Sequence, residues 1–432
     1  MSAVETLVDD ELGIIQIVAE TPREAGDPAF FHFYAHACNA EPLWGQRNFG
    51  RAGGASARRG IALAKAIGEA VERYCSACYD MHDLPLTSFN AAPFPCVPPT
   101  DFALYSRQQY GEFGFPYAPF SLDTAIRWTP ARDLANGQIR YVPASMVYLP
   151  YSQRAQEGEA LIAQPISTGL ACHSSLAEAS VSAICEVIER DAFTIMWQAR
   201  LSMPHLDQNS LDPSNAELVH KFERTGNSVD LVNITTDVGI PTILAVSHGR
   251  HEESPALVVA AATDLSPHHA VRKSLEELAH TWQLAKYLKG SGKGILPAHQ
   301  FTNIVHQDDH IQLYCHHQQV ASADFMVASK TFVRLEDLPH LASGDPSNDL
   351  ATIVGRVHET GHRVLIADVT TPDIEDVGLA VVRAIVPGFH PLCMGHRFRA
   401  LGGSRLWTVP QRLGYQGVRP ETGDNPFPHP YP

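Results

Sequence analysis

Gly68 to Tyr74 reads GEAVERY, and Cys185 to Asp191 reads CEVIERD; both contain the string Glu-x-x-Glu-Arg on an apolar background. Positions i, i+3 and i+4 of a helix share a face, so Glu69, Glu72 and Arg73 project together, as do Glu186, Glu189 and Arg190. Around the first string, Ile61, Ala64, Ile67, Val71 and Tyr74 recur at helical spacing and predict a helix over 61–78. Around the second, Val181, Ile184, Val187, Ile188 and Ile195 predict a helix over 176–197. Ser175-x-x-Glu178 opens it with the pattern of a capping box. Apolar flanks bring both helices to a core, where like charges are costly unless compensated. One compensation is an ion-pair network with the arginines, the ordinary fate of a single such string. The other is a divalent cation, because carboxylates are hard oxygen ligands and magnesium keeps one or two of them beside substrate phosphates. Two such helices in one chain favour the ion site without naming its ligand.

The rest of the chain interleaves helices and strands. A third helix is expected over 269–288, and strands over 138–146, 229–236, 242–249, 255–265, 362–371 and 379–388. Without strict βαβ regularity this is a mixed α/β (α+β) domain. Residues 1–45, broken by Pro22, Gly26 and Pro28, read as an N-terminal extension, and the proline-rich 84–120 as a surface loop. The end, PFPHPYP, places proline at every second position from Pro426 to Pro432, which favours an extended polyproline II tail over a strand or helix. Taken alone, such a tail is a disordered end or a partner-recognition peptide.

Composition excludes several classes. The 432 residues are 44% hydrophobic, with 32 Lys and Arg against 47 Asp and Glu, a net charge of -15. That balance opposes broad nucleic-acid binding, which draws on phosphate neutralisation; Arg51, Arg58, Arg59 and Lys65 form one local basic group. The start, MSAVETLVDDELG, has neither the basic nor the apolar region of a secretory signal, and no stretch approaches the ~20 apolar residues of a membrane span. Eight scattered cysteines suit reduced thiols in the cytoplasm, and Cys75-x-x-Cys78, with no second CxxC, reads as core cysteine. GSGKGIL is no P-loop, since Tyr287 stands where its first glycine belongs and Gly294 where Ser or Thr belongs; it reads as a loop after the third helix. A nucleotide, if bound, uses an uncommon site.

Three blocks resemble the YcaO family: GGASARRGIALAKAIGEAVERYC, STGLACHSSLAEASVSAICEVIERDAF and TPDIEDVGLAVVRAIVPGFHPLCMGHRFRALGGSRL. In particular they resemble its azoline-forming cyclodehydratases, the heterocyclases of ribosomal-peptide natural-product biosynthesis; IVPGFHPL and the proline-rich end point to that branch. The resemblance implies a YcaO-type domain over 46–425, a proline-rich tail over 426–432, and an ATP site without a P-loop. It implies magnesium on Glu69, Glu72, Glu186 and Glu189, and nucleotide contacts from Arg73, Ser174, Glu178, Arg190, Lys273 and Glu277. It also threads the tail back to the active site, making the Pro432 carboxylate, His429 as a proton carrier, and Arg190 the catalytic candidates. This chain departs from the family pattern at Ala55, where lysine is usual and where Arg58 or Arg59 is a substitute, at Lys65 for serine, and at His280 for glutamine.

The reaction so implied couples ATP to loss of water from a peptide. A Cys, Ser or Thr side chain attacks the preceding carbonyl, the amide oxygen is phosphorylated, and elimination leaves a thiazoline or oxazoline. A separate leader-peptide-binding partner is expected, and with it a flavin-dependent azoline dehydrogenase. Three alternatives stand beside this: thioamide or amidine formation on the same ATP site, a non-catalytic scaffold subunit of a synthetase complex, and a generic α/β protein whose acidic helices are ion-pair faces.

Overall fold

The computed structural model describes residues 6–292, 294–418 and 423–432; the first five residues, Lys293 of the GSGK stretch, and 419–422 lie outside them. Three antiparallel strands, β1 (Ile15–Thr21), β2 (Phe31–Ala37) and β3 (Arg51–Ser56), form the first sheet, in that order. Two of its strands come from residues 1–45, so this stretch completes the sheet that carries the first helix rather than standing apart. Helix α1 (Arg59–Cys75) follows and packs on one face of that sheet. It approaches so closely that a Cβ on Gly54 would lie 2.5 Å from the Ala62 carbonyl oxygen.

The chain then reaches β4 (Ile126–Asp133), β5 (Ile139–Pro143) and β6 (Leu170–His173) before α2 (Leu176–Gln198). Helix α3 (Pro213–Glu223) precedes β7 (Asn227–Asn233), β8 (Thr242–Gly249) and β9 (Leu257–Thr263), which pair antiparallel in the order β9-β8-β7. Next come α4 (Pro267–Gly290), α5 (Gln307–Tyr314) and α6 (Pro346–Glu359), and then β10 (Leu365–Asp368) and β11 (Ala380–Ile385), followed by α7 (Arg405–Arg412). The third sheet runs β4-β10-β11-β6, with β5 also on β4. The architecture is mixed α/β, as the sequence predicts.

Local chemistry explains where elements stop. Helix α1 ends at Cys75, short of 78, because the next groups have other partners: Ser76 Oγ donates to the Leu149 carbonyl at 2.9 Å, and the Gln46 amide to Ala77 at 2.8 Å. Ser175 caps α2 by accepting the Glu178 N–H at 3.2 Å, and Pro267 opens α4 at a position that needs no N–H. The stretch 84–120 is not all surface loop: Leu86–Thr87 pairs with β4, Arg107–Tyr110 forms a short helix, and Tyr105, Phe115 and Tyr117 cluster against Phe398. Among the described residues no helix is long and apolar enough to cross a membrane, and the eight cysteines are free thiols.

A buried charge network joins α2 to α7. Arg405, 1% exposed, donates to both oxygens of Asp191, 0% exposed, and also to Asp237 at 2.8 Å. Asp191 also accepts the His390 N–H at 2.9 Å. Removing one partner of such a network strands the others without water. Arg405→Leu should therefore lower unfolding stability by about 3–5 kcal/mol, read from the urea midpoint, while breaking an exposed pair such as Arg224–Glu217 should leave that midpoint nearly unchanged.

Candidate active site

Helices α1 and α2 each follow a strand, and each carries its carboxylates into one cleft of about 800 Å3. The wiring repeats. Glu69 Oε2 accepts the N–H of Gly53 on β3 at 2.8 Å, and Glu69 Oε1 pairs with Arg73 at 3.0 Å. Glu186 Oε2 accepts the N–H of Gly169, just before β6, at 3.1 Å, and Glu186 Oε1 pairs with Arg190 at 3.5 Å. Gly169 has φ of +87°, and a Cβ there would meet the Ala384 carbonyl at 2.5 Å, so only glycine presents that N–H. Glu72 crosses to accept the Cys172 N–H on β6 at 2.8 Å. Glu189 lies 3.5 Å from Arg190 and accepts the Tyr431 hydroxyl at 2.6 Å.

Four carboxylates thus share two guanidinium groups. Burial, then the Glu69 charge, pushes Glu72 up to about 8 against the pull of Arg73. Burial likewise pushes Glu189 to about 7, against Arg190 and the Tyr431 hydrogen bond. This excess of buried oxygen ligands is what a divalent cation neutralises. Among the described residues no three His, Cys, Asp or Glu side chains form a ready-made metal cage.

Further along the cleft, Lys65 of α1 lies 3.0 Å from both Glu276 and Glu277 of α4. Burial opposes ionisation of Glu277, yet Lys65 and His280 hold it below its ordinary value. Lys273 pairs with Asp264 at 2.6 Å, and Ser174 lies in the wall. The structure therefore brings Glu69, Glu72, Arg73, Ser174, Glu186, Glu189, Arg190, Lys273, Glu277 and Pro432 around one space. Two other candidates lie elsewhere. Glu178 is spent outside the cleft wall, at the α2 cap, where its Oε2 accepts Ser174 Oγ at 2.7 Å and Ser175 Oγ at 2.8 Å. Nor does either arginine beside Ala55 line the cleft: Arg59 reaches Glu20 at 2.7 Å on the outer surface, and Lys65 is the cation that enters.

The tail does thread inward. Prolyl residues lack an N–H, so only their carbonyls need partners. Trp197 supplies one to Phe427 at 3.1 Å, Tyr314 one to Pro428 at 2.6 Å, and Arg190 Nη1 one to Pro432 at 3.2 Å. The Arg190 guanidinium also covers the Tyr431 ring at 4.6 Å. His429 is not in the cleft wall: its ring stacks on His310 at 4.0 Å, its Nε2 lies 2.9 Å from the Cys393 carbonyl, and burial then His310 hold its pKa well below the usual value. It anchors the tail as a neutral ring and is not placed to carry protons for the site.

Sequence reasoning missed Tyr431 and Arg383. The tail's single tyrosine was one signal, and an arginine inside the apolar run LAVVRAIV was the other. Arg383 is 4% exposed, donates to the Met146 and Ile166 carbonyls, and senses the Glu186 charge.

A pH prediction follows from Glu72 and Glu189. Each keeps its proton in the folded chain above the pH at which the unfolded chain loses it, so the folded state binds more protons and stability falls as pH rises. In chelator, the urea midpoint should decline between about pH 4.5 and 8, and the decline should shrink in Glu72→Gln with Glu189→Gln. A midpoint that rises over this range would contradict the electrostatic picture.

The sequence model of a family described as YcaO cyclodehydratase, ATP- and Mg2+-binding, matches residues 53–390. An uncharacterised protein of Methanothermobacter thermautotrophicus is 28% identical over 359 residues, which is 80% of this chain and 85% of that one. A heterocyclase solved in complex with substrate and cofactor superimposes with a TM-score of 0.80 at 22% identity, over 100% of this chain. This chain spans only 57% of that heterocyclase's length. The YcaO protein of Methanopyrus kandleri, solved with AMPPCP and Mg2+, has a TM-score of 0.64 at 20% identity, over 87% of this chain and 86% of that one. With its family model matched across the cleft and both carboxylate helices, the chain belongs to the YcaO family.

Proposed function

We propose that the protein is an ATP- and Mg2+-dependent cyclodehydratase that converts Cys, Ser or Thr residues of a ribosomally made peptide into thiazolines or oxazolines. The observation that supports this most directly is the meeting of Glu69, Glu72, Glu186 and Glu189 across one cleft with the tail end beside them. ATP with magnesium supplies the phosphoryl group that turns the amide oxygen into a leaving group. Glu69, Glu72, Glu186 and Glu189 hold the metal, and backbone N–H groups of Gly53, Gly169 and Cys172 fix three of them before any ligand arrives. Arg73 and Arg190 balance charge on the carboxylates; Arg190 also holds Pro432, whose carboxylate is the proton acceptor nearest the cleft in this reading. Lys273, Glu277 and Ser174 line the nucleotide end.

A separate leader-peptide-binding protein and a flavin-dependent azoline dehydrogenase are the partners this chemistry calls for in natural-product biosynthesis. Thioamide or amidine formation uses the same nucleotide site with another nucleophile. The seated tail supports azolines, because its terminal carboxylate lines the cleft and would serve as a base for the proton of a Cys, Ser or Thr side chain.

Phosphate release from ATP, with peptide mass followed in the same reaction, tests this. Loss of about 18 Da per ring, absent in Glu186→Ala, is the expected result for phosphoryl-driven dehydration. ATP turnover without that loss would sink the azoline reading, and no ATP binding would sink the enzyme reading. Tyr431→Phe should shift the acidic limb of the turnover profile upward by roughly one pH unit. A hydrogen bond to an ionised group is worth about 1.5–3 kcal/mol, and one unit about 1.4. The hydroxyl it removes is the one that favours ionised Glu189.

A further inference from the structure

The first sheet has two unlike faces. Cross-strand partners share a face, so the register sorts its residues into rows. The rows Val18–Ala35–Ala52 and Glu20–Phe33–Gly54 lie against α1, where a Cβ on Gly54 would meet the helix backbone. The rows Ile17–His36–Arg51 and Ala19–Tyr34–Gly53 lie on the other face. There Ile17 is 50% and Tyr34 47% exposed, and exposed Arg51 has no carboxylate partner among the described residues. The loop at the Arg51 end adds Leu43, Trp44 and Phe49 to solvent. Of the seventeen exposed large apolar side chains among the described residues, eight fall in the first 49 positions, which marks this region as a contact surface rather than scatter.

This face runs into the cleft. Gly53, the cross-strand partner of Tyr34, gives its N–H to Glu69 and lines the cleft wall. Its missing side chain leaves room for His280, whose Nε2 would lie 2.6 Å from a Cβ there. Ile61, 39% exposed, stands in the same wall. The Tyr34–Gly53 row therefore ends at the cleft rim, where the His280 ring covers its Gly53 end.

We propose that the open face of β1–β3 is the docking platform for the peptide substrate itself, binding an extended segment of apolar and acidic residues that flanks the reacting residue. This rests on the peptide-modifying function proposed above. Three observations select this occupant. The face is continuous with the cleft, its apolar side chains suit Leu, Ile or Phe, and Arg51 is an unpaired cation on a chain of net charge -15. Three strands about 4.8 Å apart and an extended rise of about 3.3 Å per residue make the contacted segment roughly three to four residues long.

Fluorescence anisotropy with fluorescein-labelled synthetic peptides tests this without ATP. One peptide carries Leu, Phe and Glu, a second replaces Glu by Lys, and a third contains only Gly and Ser. The full chain should bind the first at least roughly tenfold more tightly than the others. Ile17→Ser with Tyr34→Ser should abolish that preference, and Arg51→Glu should reverse it toward the Lys peptide. All variants should bind a fluorescent ATP analogue with Mg2+ as the unaltered chain does, which shows that they are folded. Equal binding of all three peptides, or variants that bind as the unaltered chain does, would overturn the proposal. So would sedimentation showing that Ile17→Ser with Tyr34→Ser only dissociates a dimer, since the occupant would then be a second copy. Selective peptide binding by a chain that turns over no ATP would defeat the proposed reaction and leave the platform standing.

Discussion

The fold is organised around a charge problem: four carboxylates, Glu189 buried and the other three half-buried, line one cleft with two guanidinium groups. Left alone they would repel and drive water into the core. Three devices limit that cost: backbone N–H groups aimed at Glu69, Glu72 and Glu186, the Tyr431 hydroxyl aimed at Glu189, and protonation of the two most buried acids. None removes the surplus charge, which a bound divalent cation would offset. Helix placement, strand glycines and the course of the tail all follow from keeping that surplus in one place.

The tail shows how composition becomes position. A chain with proline at alternate sites offers few donors and many acceptors, so it can pass through a core if donors line its path. Trp197, Tyr314 and Arg190 provide them, two of these from α2, the helix that carries the second carboxylate pair. The neutral stacked rings of His310 and His429 add contact area without charge. Metal-site helix and tail are therefore one packed unit.

Much of this was legible in the sequence. The three long helices announce themselves by period, and repetition of Glu-x-x-Glu-Arg brings the four acids together before any coordinates. What stayed hidden depends on partners distant in sequence. Asp191 sits beside Glu189 and Arg190, yet its charge pairs with Arg405, which also donates to Asp237, and no local pattern reveals this. Glu178 matched both a pocket position and a cap, and its hydrogen bonds run to the adjacent Ser174 and Ser175. His429 looked reactive from its residue type, and its burial against His310 was invisible in PFPHPYP. Strands β1 and β2 were obscured by Pro22, Gly26 and Pro28, which lie between them rather than within them.

The repeated wiring has a consequence for how the site comes into being. Glu69 with Gly53 and Arg73, and Glu186 with Gly169 and Arg190, are each closed loops of short sequence span, and each can form while the rest of the chain is still disordered. Only the step that brings α1 against β6, closing Glu72 onto Cys172, spans the gap between them. In the proposed reading, cation affinity would therefore depend on that long-range contact as well as on the two local loops.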